Sequence, residues 1–353
     1  MVGIRDPTKF TPPAVSGSVC DPFSPFAKFQ GKTSGQYIIT NEDLVDRIIN
    51  ALSARSTDTV LELGSGSGSI TSRLLPIARS VVSNENDPVL SNETRMRAEA
   101  QGFTNLSIME GEAQSVPFPR FDVCFSNLPY SLSAPILFKL ISHRPLWRSA
   151  VLILQREFTD ALLAEAGERN YSRLSMNASV FVRTERLHRI NGACFYPVPP
   201  VESALVRLNP RNPPPVFDLT EFNAMTKIAF IEKKRALKSV FSRPFVELTL
   251  ERSYKNFCSF HRIPTSPMPF PKYILSVLVD SGLADYPVKH LTAEAMEHLL
   301  TCFHERGIFF SSIGNPVDKA LPTEISRGES EVKAPVQTIP DSPSDFEPLP
   351  VVS

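Results

Sequence analysis

The chain has 353 residues, with 37 Lys+Arg against 37 Asp+Glu and 42% apolar residues: enough for one large or two modest cores, with no overall bias of charge. No apolar run approaches the roughly 18 residues of a membrane span, and the N-terminus lacks the charged-then-apolar pattern of a secretory leader. Five scattered cysteines (Cys20, Cys124, Cys194, Cys258, Cys302) form no C-x-x-C pair and the six His show no H-x-x-x-H spacing, which excludes a disulfide scaffold and leaves no metal expected.

In chain order, residues 1–35 are Pro/Ser-rich and read as an extended arm; Asp6, Asp21 and the scarcity of Arg weigh against a mitochondrial leader. Residues 36–208 alternate short apolar runs with helical patterns. The runs are Thr59–Leu63, Val81–Asn84, Leu106–Met109, Phe121–Ser126 and Ala150–Leu154, with helices expected at Asn41–Leu52, Ile70–Ala78 and Pro135–Ser142. Asn41 ahead of Leu44, Val45, Ile48 and Ile49 reads as an N-cap and an amphipathic stripe. Such alternation predicts an α/β fold, a mostly parallel sheet covered on both faces. Asn209–Pro215 reads as a Pro-rich linker, and residues 216–312 as a small all-helical domain built on Phe222–Phe230, Val246–Phe257, Tyr273–Leu283 and Ala293–Phe303. Residues 313–353 hold seven Pro and seven acidic residues against three basic ones, and a disordered tail is expected.

The neutral total conceals segregation. Residues 40–138 carry 7 basic and 12 acidic residues, whereas residues 205–275 carry 12 basic and 5 acidic. A basic face on the helical part would suit nucleic acid, although such charges also serve simply to solvate helices. Lys233, Lys234, Arg235 and Lys238 fall in Phe230–Phe241, which reads as an amphipathic helix presenting a broad positive surface to RNA phosphates. Arg144, Arg148, Arg156, Arg169, Arg173, Arg183, Arg186 and Arg189 extend that reach.

Val60–Gly68 is an apolar strand entering a G-S-G-S-G turn and then a helix, the arrangement in which glycines let backbone approach a ligand at a helix N-terminus. Glu85 ends the next strand, 21 residues after Gly64, where a carboxylate grips ribose hydroxyls. A dinucleotide and S-adenosylmethionine compete for this loop. The absence of a following G-x-x-G and the presence of Glu62 before the glycines favour the latter, because a carboxylate there can meet the methionine ammonium. Glu112, after the third run, is placed to accept from an adenine amine.

Asn127-Leu128-Pro129-Tyr130 follows the fourth run, at a strand C-terminal end, where open α/β sheets bind ligands. An adenine exocyclic amine is a poor nucleophile because its lone pair is delocalised into the ring. The Asn127 side-chain carbonyl and a backbone carbonyl could accept its two hydrogens and stabilise the positive charge that grows during methyl transfer. Pro129 stiffens the loop, and Tyr130 offers a face for stacking an extruded base.

Together these residues resemble the rRNA adenine-N6 dimethyltransferases of the small ribosomal subunit, over roughly residues 28–312. The markers are Ser34-Gly35-Gln36, Val60–Gly68, Glu85 with Asp87-Pro88, Gly111-Glu112, Asn127–Tyr130, Gln155–Phe158 and Phe195–Ser203. Phe138–Pro145 and Ile263–Phe310 look like the eukaryotic nuclear and cytosolic branch. The resemblance implies a Rossmann-like class I methyltransferase core with a helical C-terminal domain, and dimethylation of two adjacent adenosines near the 3′ end of 18S-type rRNA. It further implies a role on the pre-40S particle in the nucleus or nucleolus, by a chain acting as a monomer. By position, Tyr37, Ile39, Gly64, Gly66, Gly68, Glu85, Glu112 and Asn127 would line the cofactor site, and Phe195 would be a second aromatic near the target base. Tyr37, Ser65, Ser67, Glu112 and Pro200 depart from the family's usual residues. These departures and the neutral charge keep a non-catalytic assembly or transcription factor open as an alternative, with a DNA adenine methyltransferase as a third reading.

Overall fold

The computed structural model describes residues 37–217 and 219–310; the expected arm, the Ser34-Gly35-Gln36 marker and the expected tail lie outside them. The chain enters through a short strand β1 (Ile38–Ile39) and helix α1 (Glu42–Leu52). Asn41 caps α1 as expected, its side chain accepting from the Leu44 amide at 2.8 Å, so that Leu44, Val45 and Ile48 face the core. There follow β2 (Thr59–Leu63), α2 (Ser69–Leu74), β3 (Ser80–Glu85), α3 (Pro88–Ala100), β4 (Leu106–Glu110), β5 (Val123–Ser126), α4 (Ser133–Ser142) and β6 (Ser149–Gln155). Then come α5 (Arg156–Leu162), α6 (Arg173–Phe181), β7 (Val182–Ile190), β8 (Phe195–Tyr196) and β9 (Ser203–Pro210). The C-terminal part is helical: α7 (Leu219–Ala229), α8 (Leu237–Phe241), α9 (Pro244–His261), α10 (Phe270–Asp280) and α11 (Ala293–Glu305).

Seven strands form one sheet in the order β4-β3-β2-β5-β6-β9-β7. The five from β4 to β6 are parallel, and only β9 is reversed: it pairs antiparallel with β6 on one side and with β7 on the other, so β7 runs in the direction of the five. From β2 the chain winds outward through β3 and β4, then returns to β5 on the other side. That reversal opens a crevice at the carboxyl ends of β2 and β5, the place where doubly wound sheets bind ligands.

Asn209 and Pro210 end β9 rather than opening a linker, so the connection to the helical part is shorter than expected. One apolar cluster runs without interruption from Leu61 and Leu152 in the sheet through Met176 to Phe222, Leu237, Phe303 and Phe310. The seam between α6 and α7 is polar as well as apolar: Thr226 donates to Asn177 Oδ1 at 2.8 Å and Asn177 donates to Asn223 at 2.7 Å, which satisfies fully buried groups in a pairwise fashion.

The expected helix over Phe230–Phe241 is broken. After Glu232 the chain turns, and Ala236 is extended, bridging to Pro287 before α8 begins. The four cations therefore share no helical face. Lys233 turns inward and donates to the carbonyls of Tyr171 (2.8 Å) and Arg169 (3.5 Å); Arg235 pairs with Glu232 and Lys238 with Asp285. Lys234 is exposed and has no ion pair among the described residues. Lys233 is thus a clamp between the two halves. Lys233→Met is expected to lower unfolding stability by about 1–2 kcal/mol, whereas Lys234→Ala changes it by less than about 0.5 kcal/mol, as measured by denaturant titration. Several other expected RNA contacts are also engaged within the protein: Arg148 pairs with Asp58, Arg156 with Glu202 and Arg186 with Asp160.

Candidate active site

Strand register builds the site. Leu63, the last residue of β2, pairs with Ser126 of β5 on one side and Asn84 of β3 on the other, and Glu85 pairs with Glu110 of β4. The residues that follow these strand ends (Gly64, Asn127 and Gly111-Glu112) are therefore laid side by side with Glu85 along one edge. They surround a cavity of about 260 Å³ lined by Tyr37, Ile39, Glu62, Gly64, Gly66, Glu85, Glu112, Asn127, Leu128 and Pro129 among others.

Gly64 is required by two neighbours at once. Its φ is +78°, and a Cβ there would stand 2.8 Å from the Asn127 carbonyl oxygen. Gly66, also at positive φ, donates its amide to Glu85 Oε2 at 2.8 Å, and Glu85 Oε1 accepts from the amides of Asn86 and Asp87. Glu85 consequently staples the glycine turn to the end of β3 while lining the cavity. Gly68 corrects the expectation. It lies outside the cavity lining, at the N-cap of α2, where its hydrogen-only position lets Thr94 of α3 pack close. Ser65, Ser67 and Glu112 line the cavity without filling it; the Ser65 hydroxyl is buried with no partner among the described residues.

Glu62 is 1% exposed. Its Oε2 accepts from the Thr71 hydroxyl at 2.6 Å, and its Oε1 has no partner among the described residues. Burial pushes its pKa from an ordinary 4.5 to about 7; the Thr71 bond opposes that rise and the nearby Glu85 adds to it. Glu62 lines the cavity, and a buried carboxylate with one unsatisfied oxygen is an acceptor prepared for a cationic ligand group.

Asn127 donates its Nδ2 hydrogen to the Tyr37 backbone carbonyl at 3.0 Å, which orients the amide and leaves Oδ1 as an acceptor. The Asn127 carbonyl leans on Gly64 and the Pro129 carbonyl accepts from the Leu132 amide, so Leu128 supplies the remaining carbonyl of the loop. Tyr130 is half-buried just outside the cavity lining; its hydroxyl meets Ser203 at 2.7 Å, and its ring is tilted 34° against Tyr37 at 5.4 Å. Burial raises the Tyr130 hydroxyl pKa, so the group stays neutral. Phe195 is a second correction. It is 3% exposed, packed in the core with Ile39, its register partner across β1 and β8, and it does not line the cavity. Thr71 had no signal in the motifs, and Tyr37 and Ser203, though among the residues named there, gave no sign of these contacts; each acts through a contact between residues distant in sequence or on different elements.

The described residues contain no group of three or more His, Cys, Asp or Glu able to hold a metal, and no helix among them is long and apolar enough to cross a membrane. A doubly wound sheet with an acidic strand, a glycine turn and an Asn-Leu-Pro-Tyr loop meeting at its switch point defines a methyltransferase of the Rossmann-like class. Its particular kind follows from comparison with known proteins. The family model described as Ribosomal RNA adenine dimethylase matches residues 28–259. The chain is 36% identical over 283 residues to a probable dimethyladenosine transferase of Dictyostelium discoideum, covering 79% of this chain and 90% of that one. It is similarly 36% identical to one from Drosophila melanogaster, over 79% and 92% of the two chains. A solved dimethyladenosine transferase from Plasmodium falciparum superposes with a TM-score of 0.75 at 37% identity, covering 77% of this chain and 99% of that chain. The chain belongs to the rRNA adenine dimethylase family and is an rRNA adenine dimethyltransferase.

Proposed function

We propose that this enzyme uses S-adenosylmethionine to dimethylate N6 of two adjacent adenosines near the 3′ end of small-subunit rRNA. In this reading it acts on the pre-40S particle in the nucleus or nucleolus. The observation that carries the chemistry is the position of Asn127: its amide is anchored to the Tyr37 carbonyl and lines the same cavity as the glycine turn and Glu62.

The cavity residues fit the cofactor. The unpartnered Glu62 Oε1 would suit the methionine ammonium, and Glu85 and Glu112 line the cavity as acceptors for a ribose and an adenine amine. When bound, S-adenosylmethionine supplies an electrophilic sulfonium methyl group. Asn127 Oδ1 and the Leu128 carbonyl would accept the two N6 hydrogens of the target adenine in the first transfer, and one of them the single remaining hydrogen in the second, which draws the nitrogen lone pair out of conjugation. They also stabilise the charge that grows on nitrogen, as an oxyanion hole does with opposite sign. Tyr130, steadied by Ser203, is the aromatic available for stacking the extruded base. The nitrogen becomes acidic once methylated and releases its proton without a dedicated base. The departures at Ser65, Ser67 and Glu112 leave the cavity open, which supports catalysis over a non-catalytic role.

The test is mass spectrometry of small-subunit rRNA from cells depleted of the protein and cells re-expressing it. Loss and recovery of two adjacent N6,N6-dimethyladenosines near the 3′ end is the expected result. Unchanged modification there, or loss confined to another RNA, would overturn the proposed target.

A further inference from the structure

The segment Phe138–Pro145 takes no part in the chemistry above; Arg144 bonds back to the carbonyls of Ile141 and His143, but Lys139 and His143 both reach one loop. Lys139, on α4, donates from Nζ to the carbonyl oxygens of Ala113 (2.8 Å), Gln114 (2.9 Å) and Val116, and lies 4.1 Å from the centroid of the Phe118 ring. An ammonium has three hydrogens to donate, and here all three carbonyl acceptors belong to one loop. That loop follows β4 and carries Glu112 and Ala113, which line the cavity. Just past the C-terminal end of α4, the His143 ring stacks on Phe121 at the loop's far end, with centroids 4.9 Å apart. At its other end, α4 begins directly after Ser131 and Leu132, which also line the cavity and follow the Asn127–Tyr130 loop.

We propose that Lys139 is a positioning residue for the cofactor's nucleoside end. It ties the loop bearing Glu112 to α4, so that the wall meeting the adenine keeps its place, while Asn127 is held separately by the Tyr37 carbonyl. Gly111, at the loop's start, is held to β3 by Asn84 Nδ2 and the Glu85 carbonyl; beyond it, charge-assisted bonds from Lys139 to three carbonyls add to the turn's own backbone bonds, Ser115 and Val116 amides to the Glu112 carbonyl. Apolar packing alone would leave those carbonyls to water and the loop free to move by the ångström or so that misplaces a ligand. Burial lowers the Lys139 pKa, in keeping with an ammonium turned into the protein rather than toward RNA.

The inference rests on the reading that the cavity takes an adenosyl cofactor, and the test separates the two. S-adenosylhomocysteine affinity is measured by calorimetry for wild type and Lys139→Met, with kcat at saturating S-adenosylmethionine and rRNA affinity measured alongside. Lys139→Met is expected to weaken S-adenosylhomocysteine binding about tenfold or more, while kcat and rRNA affinity stay within about twofold. Glu112→Ala should weaken binding in wild type but add little in the Lys139→Met background, the signature of two residues acting through one contact. Lys139→Gln, which keeps a donor on a shorter stem, covers the case in which the Met variant fails to fold; the same split is expected at about threefold or more. Wild type that binds no S-adenosylhomocysteine would overturn the cofactor reading and this inference with it. Binding in wild type that Lys139→Met or Lys139→Gln leaves untouched, or losses spread equally over kcat and rRNA affinity with an additive Glu112 effect, would overturn this inference alone.

Discussion

Asn127→Ala is expected to lower kcat for N6 methylation by about 10²–10³-fold, the scale on which a preorganised charge-stabilising group acts. The side chain does two things at once. Its Nδ2 is held by the Tyr37 carbonyl, and its Oδ1 is thereby presented to the amine. Alanine removes the acceptor when charge develops on nitrogen, but leaves Glu62, the glycine turn and Glu85 in place. S-adenosylhomocysteine affinity should consequently change far less than kcat, by about fivefold or less. Single-turnover methylation of small-subunit particles, with calorimetry on the same variant, measures both. A variant that methylates at the wild-type rate would remove Asn127 from the mechanism, and one that merely fails to bind cofactor would recast it as a cavity wall.

Glu62→Gln should produce the largest change in cofactor affinity and also flatten its pH dependence. In the empty protein the Glu62 carboxyl titrates near 7 rather than at an ordinary 4.5. Between those values the folded state holds a proton that the unfolded chain has released, so stability falls as pH rises through that window. The cost of ionising the buried group by neutral pH is up to about 3 kcal/mol. A ligand ammonium binds the ionised form, so cofactor affinity should rise about tenfold per pH unit up to about pH 7 and level off above it. Glutamine keeps the shape and the Thr71 contact but carries no charge. The variant should be as stable as wild type at pH 5 and more stable at pH 8, yet bind S-adenosylhomocysteine about 10²-fold more weakly at pH 8. Denaturant unfolding and calorimetry from pH 5 to 8 test the pair of slopes. Cofactor affinity in wild type that is level across that range would show that Glu62 does not meet the ammonium.

Much of the site was legible in the residues because its parts are local. Gly64 and Gly66 adopt positive φ, and Gly64 has no room for a Cβ, so their identity announces the turn. Asn127–Tyr130 follows a run of buried apolar residues, and the strand beneath it needed only that run to be recognised. Phe195 failed for a physical reason: adjacent strand residues point to opposite faces, and the pairing of Ile39 with Phe195 turns Phe195 into the core while Tyr196 stays exposed. The cations near Lys233 failed differently. Their spacing suits a helix, but pairing of Ala236 with Pro287 and the pull of the Tyr171 carbonyl on Lys233 override propensity with tertiary contacts. The β7 strand had no clear run to mark it, because it is an edge strand whose exposed Arg, Glu and His face solvent; β9 did carry one, Ala204–Val206, which the strand reading did not single out.

By itself, the sequence determined the alternation of strands and helices, the acidic strand and glycine turn, and the loop bearing Asn127, because each is set by neighbours within a few residues. Only the tertiary structure decided what those pieces do together. Parallel register brought Gly64 against Asn127, the residue ahead of β1 offered the carbonyl that orients the Asn127 amide, and α4 supplied the lysine that holds the Glu112 loop. Those outcomes depend on hydrogen bonds and burial between residues far apart in the chain, whose partners and energies exist only once the sheet has assembled.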